Sequence, residues 1–305
     1  MFAVRELERT HQDMKVDLMI IGAMKCGTTT LADLLKAHPR VSFCRTKEPE
    51  FFSKHPDWRS GLDAYHALYE PREGAIYAEA STGTTFYPHF NHGIWNDLYE
   101  YNPELKLIYL VRDPIDRIVS HYMHIHERGW SDRAMEDAVR NIPILINNTR
   151  YHAQVLPFVE RFGRDLVLIL GFDELIGDRQ GTLERVGRFA GLDPSQFPMQ
   201  AEVHSNPSIG GSKRHYVHDA SPPWAQATGG LTSRWERGLK SLFVRSGGRG
   251  FEQRPELSAP WKEAVMRLLE NDVLALEELA GRDLRAWFDH AGMKHPSERI
   301  SGGSA

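Results

Sequence analysis

Ile20-Ile-Gly-Ala-Met-Lys-Cys-Gly-Thr-Thr-Thr-Leu31 carries an apolar run through a glycine-containing turn into a run with helical spacing. Ahead of it, Val16, Leu18, Met19, Ile20 and Ile21 read as a strand. Behind it, Thr28 to Lys36 reads as a helix with Leu31, Leu34 and Leu35 on one face. The first turn of such a helix has free backbone N–H groups and a partial positive charge, so the turn is an anion site. Gly22 and Gly27 let the backbone approach an anion, and Lys25 adds a full charge. The competing reading is an ordinary strand-to-helix turn that happens to hold Gly and Thr.

The two glycines have the separation of the nucleotide loop G-x-x-x-x-G-K-[ST], but Thr28 stands where that pattern needs lysine. The lysine lies inside the turn, at Lys25. An ATPase needs its lysine on the terminal phosphates and a hydroxyl on Mg²⁺, so the displaced lysine points to a related but different anion. Cys26 also lies in the turn. It reads as a small loop residue in preference to an activated thiol.

Working outward, strand-like and helix-like runs alternate, as in an α/β domain with a central parallel sheet and helices on its faces. Further strand candidates are 41–44, 75–78, 105–111 and 165–170, and helical stretches follow at 115–126 and 183–190. Residues 221–260 are rich in Gly, Pro, Ser and Arg and read as a long excursion or lid. Residues 260–288 then read as a helix interrupted at Gly281. The domain is expected to span 16–291, after an extension over 1–15 and before a flexible tail over 292–305.

Bulk properties exclude several classes. With 305 residues, 41% hydrophobic and 26% charged, the composition is that of a globular domain with a sizeable core. A formal net charge of −4 argues against a nucleic-acid binder. No apolar run approaches membrane-spanning length, and two cysteines make no disulfide scaffold. A cytoplasmic enzyme is expected.

Leu110-Val-Arg-Asp-Pro-Ile-Asp-Arg-Ile-Val-Ser120 puts Arg112 at the end of the strongest strand and Ser120 on the helix behind it. Ligands of open α/β sheets bind outside the carboxyl ends of strands, so Arg112 is expected to face the crevice of Lys25. The Lys213/Arg214 loop is a third cationic element. Three such elements suggest a ligand with more than one anionic group.

Together these segments resemble the sulfotransferases that use 3′-phosphoadenosine 5′-phosphosulfate (PAPS), over roughly residues 17–288. IIGAMKCGTTTL is similar to the family's 5′-phosphosulfate loop, and LIYLVRDPIDRIVSHY to its 3′-phosphate motif. Lys47-Glu-Pro-Glu-Phe-Phe52 resembles a stretch of the branch that includes the Golgi carbohydrate sulfotransferases. The resemblance implies a P-loop-nucleotide-kinase-like α/β fold with a helical C-terminal region. It implies that Lys25, Cys26, Gly27, Thr28, Thr29 and Thr30 hold the 5′ end of the donor and that Arg112 and Ser120 hold its 3′-phosphate. Lys213 and Arg214 would close over the nucleotide, and no metal is required. Lys25 and Glu48 would be the catalytic pair, with Glu48 as general base. Glu50 competes, because residues two apart on an extended segment share a face.

One departure stands out. The Glu-Lys-(Ser/Thr)-Pro sequence of parts of that branch reads Glu79-Ala-Ser-Thr-Gly83 here, without its lysine or proline. Glu79 is still expected to line the acceptor cleft. The acceptor could be a small molecule, a lipid or a carbohydrate. His121, His124 and His126 lack a standard zinc spacing and read as core-edge or cleft residues. A nucleotide kinase or ATPase, and an inactive nucleotide-binding protein, are the alternatives.

Overall fold

The computed structural model describes residues 14–198 and 251–300. Its frame is a five-stranded sheet of β1 (Leu18–Gly22), β2 (Val41–Phe43), β3 (Ile76–Ala80), β4 (Lys106–Val111) and β5 (Val167–Gly171), in the order β2-β3-β1-β4-β5. Every pairing is parallel. Helices cover both faces, so the central strands are buried apart from Lys106 at the start of β4 and read as near-continuous apolar runs. The expected fold class is the one observed, and the expected strands lie within two residues of the observed bounds.

The chain lays β2 and β3 to one side of β1 and then crosses to place β4 and β5 on the other. That reversal opens a crevice at the carboxyl ends of β1 and β4. Two helices start there. Thr28–Lys36 follows β1, with Gly27 at its N-cap in the left-handed region, φ 87°. Pro114–Glu127 follows β4, where the Asp113 carboxylate accepts a hydrogen bond from the Asp116 amide at 2.9 Å and Pro114 takes the first helical position.

β1 and β4 slip register between Ile20 and Gly22, where the chain turns out of the sheet. Space is tight there. A Cβ on Gly22 would collide with Thr85 Oγ1 and lie 2.9 Å from the Tyr109 ring. Thr85 Oγ1 itself donates to the Ile21 carbonyl at 2.8 Å, so it cannot withdraw without losing that bond.

Short helices that have no clear helical period in the sequence build an aromatic cluster beside β3. Phe51 stacks on Tyr65 with centroids 4.3 Å apart, and Phe52 packs against Trp58 and Tyr101. The long helix near the C-terminus, Ala259–Ala280, ends at Gly281, whose φ of 61° gives a left-handed C-cap; a second helix, Arg285–His290, follows.

Two expectations need correction. The end of the 221–260 stretch is packed: Phe251 lies against Tyr122 and His126, and Leu257 is buried. The 292–305 segment is not a loose tail over its described part. Met293 is buried, and His295 and Arg299 reach Glu277 and Glu270. In both places apolar side chains and ion pairs hold segments whose local sequence is rich in turn formers.

Replacing Gly22 by alanine is expected to lower the unfolding free energy by about 2 kcal/mol, the cost of overpacking a site with no room to relax. Urea denaturation of the two proteins measures it.

Candidate active site

The turn after β1 brings its charge to the crevice through strained backbone. Lys25 has φ 73°, Glu48 φ 53° and Glu50 φ 52°; these are the non-glycine residues with positive φ among the described residues. L-residues adopt this region at a cost and hold it where surrounding structure over-determines it, often at functional sites. Here the strained residues are the lysine of the anion turn and the two candidate carboxylates.

Lys25 is half-buried, and burial holds its pKa below the usual lysine value. Glu127 and Glu48 oppose that shift, while Arg117 and Lys47 add to it. Glu48 is likewise half-buried. Burial, and then the charge of Glu50, push its carboxyl pKa up, against the pull of Lys47, Lys54 and Lys25. Lys25 and Glu48 are therefore electrostatic neighbours. Lys47 ties the two segments together by donating from Nζ to Thr29 Oγ1 at 3.0 Å.

Thr28, Thr29 and Thr30 form the first turn of their helix, so their amides are among those left without helical partners. Gly27 is required at its position. A Cβ there would lie 2.7 Å from the Phe172 ring, in a backbone conformation that disfavours side chains. Arg112 lies over that same ring, 4.6 Å from its centroid, so one phenyl group supports both the anion turn and the arginine. Arg282 braces the turn that carries Phe172 through ion pairs to Asp173 and Glu174.

Arg112 Nη2 donates to Asp116 Oδ2 at 3.2 Å, while its buried Nε has no hydrogen-bond partner in the structure. Asp116 Oδ1 accepts from Arg254 at 2.6 Å. Two guanidinium groups thus share one carboxylate beside the helix N-terminus. Ser120 is buried on that helix, two turns further along. Arg254 was expected only as one of several arginines of a lid; its ion pair could not be read from a segment without periodicity. Lys213 and Arg214 lie outside the described residues.

Three site expectations fail on geometry. Cys26 does not present its side chain to the crevice. The thiol is fully buried with Sγ 3.5 Å from Tyr151 Oη, and the amide is used by the Ala23 carbonyl. Glu79 does not line a cleft. It is 1% exposed, accepts from Tyr69 Oη at 3.3 Å, and burial raises its pKa to about 7. The 48–50 segment is not extended, so Glu48 and Glu50 are not equivalent by alternation. Glu50 is buried, with both carboxylate oxygens accepting hydrogen bonds from protein.

Arg117 was not foreseen. It is fully buried on the Pro114–Glu127 helix, and its Nε donates to the Met24 carbonyl at 3.1 Å, fixing the anion turn from behind. Its Nη1 reaches the Leu145 carbonyl and Thr149. The three histidines of this helix have different neighbours. His121 is in the core, His124 packs on Trp130, and His126 packs on Phe251. Burial and the nearby Lys25 lower the His124 pKa to about 3. No cluster of three or more metal-ligating side chains occurs among the described residues. Nor is any described helix long and apolar enough to cross a membrane.

A parallel sheet with an anion turn at its switch point defines a P-loop-like α/β protein. The sulfotransferase domain model matches residues 15–206, and the chain belongs to that family. It is 24% identical over 273 residues to mouse carbohydrate sulfotransferase 15, covering 67% of this chain and 48% of the relative. Against mouse heparan sulfate glucosamine 3-O-sulfotransferase 3A1 it is 29% identical over 185 residues, covering 57% of this chain and 45% of the relative. The chain thus spans about half the length of these curated relatives. A sulfotransferase structure from Alicyclobacillus acidocaldarius superposes with a TM-score of 0.61 at 23% identity, covering 90% of this chain and 99% of that one, which shows a shared fold.

Both cysteines are buried, Cys26 with its pKa raised by burial and Cys44 with a pKa pushed up to about 12. Neither thiol is expected to react with iodoacetamide at about pH 8 until the protein unfolds, because thiolate is the reactive form. Mass spectrometry of native and guanidinium-treated samples checks this.

Proposed function

We propose that the protein transfers a sulfuryl group from PAPS to a hydroxyl or amine of an acceptor by direct in-line displacement. The observation that carries this reading is the pairing of Lys25 with Glu48 beside a helix N-terminus. A cation suited to the leaving oxygen stands in the turn after β1, a carboxyl group of raised proton affinity on the 48–50 segment is its electrostatic neighbour, and Lys47 to Thr29 joins the two segments. Family membership supports the donor, and the likeness to carbohydrate sulfotransferases supports an acceptor carrying hydroxyl or amine groups.

In this mechanism the acceptor oxygen attacks sulfur as Glu48 takes its proton. The bond from sulfur to the bridging oxygen breaks, and the electron pair stays with the 5′-phosphate of adenosine 3′,5′-bisphosphate. Lys25 and the amides of Gly27, Thr28, Thr29 and Thr30 stabilise that charge. Arg112, with its unpartnered Nε, and Ser120 hold the 3′-phosphate, and Arg254 adds charge through the shared Asp116. Lys213 and Arg214 remain proposed contacts to the same nucleotide. The protein mainly positions reactants and meets developing charge, with no covalent enzyme intermediate.

Glu48→Gln is expected to keep affinity for adenosine 3′,5′-bisphosphate and lose roughly 10²–10⁴-fold in turnover, the contribution of a positioned general base. Lys25→Ala is expected to lose roughly 10²–10³-fold in turnover with the fold intact. Calorimetry and a radiolabelled-sulfate transfer assay read both. Normal transfer by the Glu48 variant rejects it as the base.

Arg112→Ala should weaken adenosine 3′,5′-bisphosphate about ten- to a hundredfold, corresponding to a lost charged hydrogen bond of roughly 1.5–3 kcal/mol. It should leave adenosine 5′-phosphate almost unaffected. Equal losses for both nucleotides would remove Arg112 from the 3′-phosphate site.

The pH profile has a definite sign. Glu48 must be ionised and its pKa is raised, so activity is lost as pH falls through a value above the usual glutamate range. Lys25 must be charged and its pKa is lowered, so activity is lost as pH rises through a value below the usual lysine range. The kcat/KM bell of the free enzyme is therefore narrowed from both sides. An acid limb at an ordinary carboxylate pKa would contradict the assignment.

A further inference from the structure

We propose that Glu50 is a positioning residue that holds the Glu48 turn, and that Gly83 is the matched vacancy its carboxylate requires. This rests on the reading of Glu48 as proton acceptor.

Glu50 Oε1 accepts from the Gly83 amide at 2.9 Å, and Oε2 accepts from Ser53 Oγ at 2.5 Å. Its own amide donates to Ser81 Oγ at 3.1 Å, and its carbonyl accepts from the Lys54 amide at 3.0 Å. The 81–85 turn is in turn fastened to the end of β1, by Ser81 N to the Ile20 carbonyl at 3.1 Å and Thr85 Oγ1 to the Ile21 carbonyl at 2.8 Å. A continuous run of hydrogen bonds therefore joins the strand that carries the anion turn to Glu50. Only Pro49 separates Glu50 from Glu48, and left-handed backbone stands on either side of that proline. The geometry holds Glu48 in register with Lys25 through the protein interior.

Gly83 closes the Glu79-Ala-Ser-Thr-Gly83 stretch, and the structure supplies a reason for glycine there. Proline has no N–H to give the carboxylate. Any Cβ at this position would run into Glu50 Oε2 and lie 2.8 Å from its Cδ. Glu50 and Gly83 are a chemical pair: the carboxylate needs both the amide and the empty space.

Charge supplies the second half of the role. Glu48 faces Lys47, Lys54 and Lys25, three cations that would make it a weak base, and Glu50 is the anion set against them. Like charges close together favour the protonated form, so Glu50 raises the affinity of Glu48 for the proton it must accept.

The test uses the full chain and three variants. Glu50→Gln keeps an acceptor for the Gly83 amide and removes the charge. Its acid limb in kcat/KM is expected to move to lower pH, with plateau turnover several-fold down and adenosine 3′,5′-bisphosphate affinity unchanged by calorimetry. Gly83→Ala is expected to lower turnover at least tenfold with that affinity retained. In the Glu50→Ser background the same Gly83→Ala change should cost little, because the clash has gone. An unmoved acid limb in Glu50→Gln overturns the charge role, and an equal cost of Gly83→Ala in both backgrounds overturns the pairing. If Glu50→Gln is as inactive as Glu48→Gln, Glu50 is itself the base and the proposal falls. An active Glu48→Gln rejects the underlying base assignment. An inactive one, combined with an unmoved Glu50→Gln profile, rejects the positioning role alone. Should Gly83→Ala fail to melt cooperatively, the Glu50→Gln profile decides.

Discussion

The turn over residues 81–85 bonds in two directions at once, and the geometry of the candidate site depends on it. On one side it takes the last carbonyls of β1, and on the other it gives the Gly83 amide to a buried carboxylate. The anion turn and the carboxylate segment start from different strands and have no sequence proximity. What joins them is that this stretch bonds both to the strand leading into the anion turn and to Glu50, with Lys47 to Thr29 as a second link. Buried polar groups of this kind are costly to leave unmet, so the arrangement resists sliding.

A second support lies on the other side of β1. Phe172 stands under Gly27 and under Arg112, and Arg117 in the core holds Met24. The proposed donor site is thus braced by groups that need not touch the donor. This is how a crevice built from loops can be rigid enough for the proposed in-line transfer, where misplacement of the reacting atoms is costly. Buried and hydrogen-bonded to the neutral Met24 and Leu145 carbonyls and the Thr149 hydroxyl, Arg117 also adds positive potential behind a site proposed for anions.

Much of this was legible in the chain. The apolar runs announced parallel strands because strands covered on both faces carry little polar alternation. The Gly-Thr turn with its lysine, and Arg112 at the end of a strand, announced where an anion would sit. Cys26 was placed in the site because it lies within the stretch that resembles the family's 5′-phosphosulfate loop. The structure turns its thiol inward, since a tight turn alternates which residues face the crevice. Glu79 was misread for a similar reason. Its motif neighbours suggested a cleft, but β3 directs it to Tyr69 in the aromatic cluster.

By itself the sequence determined the sheet, the anion turn and the identity of the charged groups, because local periodicity, glycine tolerance and helix capping act over a few residues. Tertiary structure alone decided which carboxylate is free. Glu48 and Glu50 are chemically identical and two residues apart; the Gly83 amide, 33 residues away in sequence, joins the local Ser53 hydroxyl in engaging Glu50, while Glu48 keeps Lys25 as an electrostatic neighbour. The same holds for Arg254, whose ion pair with Asp116 links positions 138 residues apart. Contacts at such separations are set by packing of the whole domain, and no short window of sequence contains them.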